Sequence, residues 1–96
     1  MKKLVLYIPQ GRRSSDIRDI REMLKREAHS LNLRYEERRS IEDYLMVYYE
    51  DDETSTFIYL EDENDSLDNI RMMVRVLALI ASSMSEEKTE EMVVET

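Results

Sequence analysis

The residue types that this chain lacks exclude several classes of protein. Its 96 residues include no cysteine and no tryptophan, and only one glycine, one proline and one histidine. Without cysteine, disulfides and thiolate metal sites are excluded. One glycine cannot build the glycine-rich phosphate loops of nucleotide-binding domains. The longest apolar run is about half of the ~20 residues that a membrane-spanning helix needs. We therefore expect no membrane partner.

No arrangement of side chains in the sequence predicts catalysis. His29 has no second histidine for a metal site and no nucleophile in a recognisable setting. Nothing pairs two carboxylates for acid–base chemistry. The acidic clusters Glu50–Glu53 and Glu61–Asp65 lack the alternating ligands and central glycine of a calcium loop. We expect a protein that is not an enzyme, with no cofactor and no metal site.

Length and composition predict one small folded domain. A hydrophobic fraction of 42% is ordinary for a folded chain. We place the domain at residues 1–85, and expect the acidic tail at 86–96 to continue the last helix for about a turn and then fray. The apolar run at the N-terminus stops at Pro9 and is too short for a signal peptide. A cytoplasmic location is the expectation.

Charge is divided unevenly between the two parts of the chain. Residues 1–39 carry a net charge of +5 and residues 40–96 carry −13, which together give the total of −8. Such asymmetry hints at a charged partner surface. The plainer interpretation is a surface that keeps the molecules apart in solution. An acidic chain is also a poor independent binder of nucleic acid, because neutralised phosphates supply most of the affinity.

Hydrophobic periodicity predicts an α+β fold with the order β-α-β-β-β-α. Ile17, Ile20, Leu24, Ala28 and Leu31 form one stripe of a first helix that ends at Asn32. In the last strand, alternation puts Phe57, Tyr59 and Glu61 opposite Ile58 and Leu60. Short connections predict that the last three strands are neighbours in a small antiparallel sheet, with two helices packed on one face.

The chain is organised around a helix at residues 66–85. Between Met72 and Ala81 only Arg75 interrupts a run of apolar residues. One face of this helix, which we expect to pack on the sheet, carries Leu67, Ile70, Val74, Leu77, Ala81 and Met84. A helix that is apolar nearly all round is normally buried on two sides. We therefore predict a partner interface at Met72, Met73, Val76, Leu79, Ile80 and Ser83.

Basic residues near the first helix give a weaker second candidate site. The loop containing Gly11 opens a helix, so its amide groups and guanidinium groups could hold an anion or an RNA backbone. The residues in question are Arg12, Arg13, Arg18, Arg21 and Lys25. A solvated turn is the plainer interpretation of the same pattern. Contact with nucleic acid is expected to be indirect at most.

The passage TFIYLEDENDSLDNIRMMVRVLALIASSM resembles a known family. It runs from a strand with an acidic end through a capped turn into an apolar helix with Leu67 and Arg71 near its start. This is similar to the end of the Pcc family, the small non-catalytic subunit of the KEOPS complex. That complex makes the threonylcarbamoyl modification of adenosine in tRNA. The family's strand–helix–strands–helix plan also matches the predicted order.

Departures from the family pattern favour a divergent paralogue, like the eukaryotic Gon subunit. The family has Pro-Glu after its first helix and Asn-Ser within the last, where this chain has Leu31-Asn32-Leu33 and Met73-Val74. The resemblance implies a dimer with a homologous small subunit, as a heterodimer or, alone, a weak homodimer. Within the larger tRNA-modification complex, this subunit would stabilise the dimer and limit its docking to one side.

Two alternatives from other functional classes remain open. The acidic clusters at Glu50–Glu53 and Glu61–Asp65 could mimic nucleic acid and inhibit a nucleic-acid-binding enzyme. Binding of that kind would weaken steeply with salt, whereas apolar pairing would not. A small ligand-binding α+β domain is the third hypothesis, although the chain lacks the loops and polar clusters such sites use.

Overall fold

A computed structural model describes the backbone of residues 1–95 and the side chains of residues 1–84. The strands are β1 (Lys3–Pro9), β2 (Arg34–Ser40), β3 (Met46–Glu50) and β4 (Ser55–Leu60). The helices are α1 (Arg18–Ser30), which follows a 3-10 turn at Ser14–Ile17, and α2 (Leu67–Glu95). The predicted α+β class and the order β-α-β-β-β-α are confirmed. Among the described residues, no helix combines the length and the hydropathy needed to cross a membrane.

The sheet is mixed, and this corrects the prediction of a wholly antiparallel one. The strand order is β2-β1-β3-β4, with β1 parallel to β2 and antiparallel to β3. The last three strands are therefore not all neighbours, since β1 lies between β2 and β3. The physical reason is the long connection through α1, which carries the chain back across the sheet so that β2 runs parallel to β1.

Both helices cover one face of the sheet, as predicted, and the core lies beneath them. Leu4, Leu6 and Ile8 of β1 are buried there, and Leu6 pairs with Val47 of β3. From the helices, the core receives Ile17, Met23, Leu24, Ala28, Ile70, Val74, Ala78 and Ala81. The apolar stripe of α1 thus performs the packing role that its periodicity predicts.

A β-bulge in β4 overturns the predicted alternation of that strand. Val47 pairs with Tyr59 and Tyr48 pairs with Phe57, so Ile58 has no partner on β3. The extra residue reverses the alternation, and Ile58 and Tyr59 are both buried while Leu60 is exposed. Tyr59 therefore faces the helices rather than sharing the side of Phe57. A simple two-residue period cannot anticipate such an insertion.

The backbone of α2 remains helical as far as Glu95, which is further than the single turn expected beyond Ser85. Twenty-nine residues of helix measure about 43 Å, whereas a seven-residue strand measures about 23 Å. The sheet can therefore cover only part of this helix. The tail at 86–96 was expected to fray; its side chains lie outside the described residues, and Thr96 lies outside them altogether.

Candidate interaction surface

Helix α2 contacts the core through a narrow stripe of small and branched residues. Ile70, Val74, Ala78 and Ala81 are buried, and they span about 80° of the helix circumference. Leu67, Leu77 and Met84, which the sequence places on the same core face, are exposed instead. Ala78 takes the position expected of Leu77. The core face is therefore narrower and more alanine-rich than predicted.

Most of the remaining circumference of α2 is apolar and exposed. Of the thirteen large hydrophobic side chains that are exposed among the described residues, eight lie on this helix. All six predicted interface residues are among the exposed positions, and Val76 and Ile80 are 53% and 50% exposed. A contiguous apolar patch of this kind is uncommon on a monomer and typically marks an interaction site. We call this band of Met72, Met73, Val76, Leu79, Ile80 and Ser83 the outer face of α2.

A shallow groove joins the outer face of α2 to the free edge of the sheet. It has a volume of about 230 Å³, and most of its lining is apolar. Leu77, Ile80 and Met84 form its wall on α2, while Thr56 and Phe57 contribute from β4. Phe57 is half-exposed. The helix face and the strand edge therefore form one continuous surface.

The two edges of the sheet differ strongly in charge. The edge strand β2 reads RYEERRS, and its charged side chains discourage the addition of another strand. The opposite edge strand, β4, reads STFIYL and carries no charge. Within the described residues, its backbone makes no hydrogen bond to an element other than β3. Of the two edges, β4 is thus the better suited to pair with a further strand, on either side of the bulge at Ile58.

An ion pair that the sequence analysis missed fixes α2 in this orientation. Glu27 of α1 is 5% exposed, and its carboxylate accepts a hydrogen bond of 3.0 Å from Arg75. Arg71 lies 3.8 Å from the same carboxylate, and Arg75 also donates to Ser30. Arg75, the only interruption of the apolar run, therefore ties the helices together. The sequence does contain a sign of this ion pair, since the charged Glu27 falls within the apolar stripe of Leu24, Ala28 and Leu31.

The sheet face opposite the helices carries a row of aromatic rings. The ring of Tyr48 lies edge-on to Tyr7 at 5.3 Å and to Phe57 at 5.5 Å. The guanidinium of Arg38 lies 5.7 Å from the ring of Tyr7 and bridges Glu36 and Glu50. The pKa of Arg38 is raised above its ordinary value. The hydrogen bond to Glu50 is the largest cause, and the bonds to Glu36 and Tyr7 add to it. The tyrosines and charges of this face thus satisfy one another.

Two of the five residues predicted to contact RNA or an anion form ion pairs within the protein. Arg12 binds both oxygens of Glu61, and Arg21 binds both oxygens of Glu37. Lys25 lies 5.9 Å from the ring of Tyr35, and Arg18 lies 3.8 Å from Asp19. Arg13 is exposed. Arg12 and Arg21 are therefore engaged in internal ion pairs, while Arg13, Arg18 and Lys25 remain exposed.

The acidic clusters are built into turns at opposite ends of β4. Asp51 accepts hydrogen bonds from the amides of Glu53 and Thr54 and from the hydroxyl of Tyr49. At the other end, the hydrogen bond from Arg12 holds the pKa of Glu61 below its ordinary value. Among the described residues, no group of three acidic or histidine side chains could hold a metal ion.

Comparison of the chain with protein-family models, with curated proteins and with solved structures finds no significant match in any of the three.

Proposed function

We propose that this protein is a non-catalytic interaction subunit that pairs with a second protein through α2 and β4. The observation that carries the proposal is the continuity of the exposed apolar face of α2 with the uncharged edge of β4. Burial of apolar surface contributes about 25 cal/mol per Å². A partner that covers the outer face of α2 would therefore supply the second side of burial that the helix sequence requires.

The resemblance to the Pcc family suggests which assembly this subunit serves. We propose a divergent, Gon-like subunit of the KEOPS complex that forms a dimer with a homologous small subunit in the cytoplasm. Its role would be to stabilise that dimer and to set its stoichiometry. Contact with tRNA would be indirect, because Arg12 and Arg21 are committed to Glu61 and Glu37.

The other hypotheses receive less support from the side-chain contacts. A nucleic-acid mimic would present free carboxylates along one surface, whereas the two acidic clusters lie at opposite ends of β4 and include Asp51 and Glu61, which form internal bonds. A ligand-binding domain would enclose polar groups in a pocket. The groove beside α2 is instead mostly apolar. A second cleft of about 350 Å³ has polar side chains in its walls, but Arg12 and Glu61 are bonded to each other there.

Replacement of Val76 and Ile80 by aspartate tests the proposed function. We expect the tagged wild-type protein to recover a homologous small subunit, with kinase and ATPase-fold subunits, from lysate of its native cells. The double variant should lose this recovery, because two carboxylates would be desolvated at the interface. Mass spectrometry reads the captured proteins.

The matched control is Ile41→Asp, since Ile41 is 87% exposed and lies in the loop between β2 and β3. This variant should capture the same partners as the wild type. Circular dichroism should show unchanged helical content in all three proteins. Equal capture by the wild type and the double variant would rule out pairing through α2, and recovery of an unrelated nucleic-acid enzyme would favour the mimic.

A further inference from the structure

The free edge of β4 has acidic residues at both of its ends. The hairpin loop before the strand contains Asp51, Asp52 and Glu53, and the loop after it contains Glu61, Asp62, Glu63 and Asp65. The strand between them, Ser55–Leu60, is uncharged and about 20 Å long. Any strand that pairs along this edge will therefore place both of its own ends beside carboxylates.

These carboxylates include one at each end of β4 that faces solvent without a partner among the described residues. Glu53 and Glu63 are exposed, and neither side chain has a hydrogen bond or an ion pair among the described residues. Asp52 is 87% exposed at the side chain, with the N-terminal amine as its partner. The negative charge at each end of β4 is therefore available to a protein that docks there.

This arrangement disfavours pairing of the edge with a second copy of itself. A two-fold axis through the middle of β4 would make the two strands antiparallel. Glu53 of one copy would then lie beside Asp62 and Glu63 of the other, and the same contact would occur at the second end. Like charges in direct apposition are destabilising, and there would be two such contacts in each dimer.

We propose that β4 pairs with an edge strand of a different protein, and that this partner carries lysine or arginine side chains at both ends of that strand. The apolar groove beside α2 supplies the affinity, and the two acidic ends select the partner and exclude a second copy of this chain. The inference rests on the proposed function and adds to it the chemistry of the partner and the strand that it contacts.

Reversal of a single charge tests the inference on the purified protein alone. In Glu53→Lys, each lysine of an antiparallel pair would face Asp62 and Glu63 of the second copy. We expect its self-association constant in 50 mM salt to exceed that of the wild type about tenfold. Sedimentation equilibrium measures this constant. The added association should disappear in 1 M salt, where charges are screened beyond about 3 Å.

The wild type should show the opposite salt dependence, because screening removes the repulsion between its strand ends. Glu22→Lys is the control, since Glu22 is exposed on α1 and gives the same change of net charge. A second control, Met84→Asp in the Glu53→Lys background, should abolish the gain because Met84 is exposed and lines the groove from α2.

Equal self-association of Glu53→Lys and Glu22→Lys would overturn the inference, as would a complete absence of association in both. That failure is separable from failure of the proposed function. If Val76→Asp with Ile80→Asp abolishes partner capture while Glu53→Lys behaves like Glu22→Lys, then α2 binds the partner but the ends of β4 do not select it.

Discussion

At the scale of single residues, one buried carboxylate explains the only charge within the apolar run of α2. Without a partner in the fold, the presence of Arg75 in this apolar run would have no structural explanation. Its side chain is 45% exposed and reaches Glu27, whose side chain is only 6% exposed. A buried carboxylate is costly unless it is paired. Arg75 therefore both satisfies Glu27 and fixes the rotation of α2 that leaves Val76 and Ile80 outside.

Removal of Arg75 should destabilise the fold more than removal of both partners. We expect Arg75→Met to lower the free energy of unfolding by about 2 kcal/mol, because Glu27 would keep only the distant Arg71. The double variant Glu27→Leu with Arg75→Met should recover most of this loss. Urea denaturation of the four proteins of this cycle gives the coupling. Additive effects of the two single changes would show that the pair is not coupled.

The ion pair between Arg12 and Glu61 should make stability depend on pH. Because the hydrogen bond from Arg12 lowers the pKa of Glu61 from 4.5, the stabilisation is complete above that value and is lost as the pH falls below it. Between pH 6 and pH 3, the wild type should lose about 1 kcal/mol more unfolding free energy than Glu61→Gln.

Urea denaturation at a series of pH values measures this difference. The matched control is Glu63→Gln, since the carboxylate of Glu63 has no partner among the described residues. It should follow the wild-type profile. Parallel profiles for wild type and Glu61→Gln would mean that the pair with Arg12 contributes nothing to stability.

At the scale of elements, the end of α1 decides where β2 begins. Asn32 has a φ of 61°, and its amide donates to the carbonyl of His29 while the amide of Leu33 donates to Ala28. This is the Schellman arrangement, which ends a helix with one residue in the left-handed conformation. Leu33 is buried immediately afterwards. The sequence prediction that Asn32 closes the helix is confirmed.

Substitution of Asn32 should separate backbone conformation from side-chain effects. Valine has a branched Cβ that the left-handed region does not tolerate, so we expect Asn32→Val to lower the unfolding free energy by about 1–2 kcal/mol. Asn32→Gly should be neutral or slightly stabilising, because glycine adopts this conformation readily. Thermal denaturation measures both. Equal melting temperatures for the two variants would contradict the assigned role of the cap.

At the scale of the whole molecule, the charge asymmetry of the sequence becomes an asymmetry across the sheet. Residues 1–39 contain β1, α1 and nearly all of β2, while residues 40–95 contain β3, β4 and α2. Since the strand order is β2-β1-β3-β4, the strands of the basic part lie towards the β2 edge of the sheet and those of the acidic part towards the β4 edge. The edge proposed for pairing, β4, belongs to the acidic part, and the charged strand β2 forms the edge of the basic part.

Much of this description could be predicted from periodicity and composition. The order of the elements, the stripe of α1, the helix end at Asn32 and the outward band of Met72, Met73, Val76, Leu79, Ile80 and Ser83 follow from local patterns in the chain. Local patterns suffice here because helix and strand periods, and the conformational preference of single residues, depend on near neighbours.

Features that depend on distant parts of the chain were decided only by the tertiary structure. The parallel pairing of β1 with β2, the bulge at Ile58 and the bond between Glu27 and Arg75 join segments far apart in sequence. The same holds for Arg12 and Arg21, which were predicted as possible anion contacts. In the fold they bind Glu61 and Glu37, which are distant in sequence. A pattern along the chain specifies which face of an element is apolar, but packing in three dimensions selects what each charge meets.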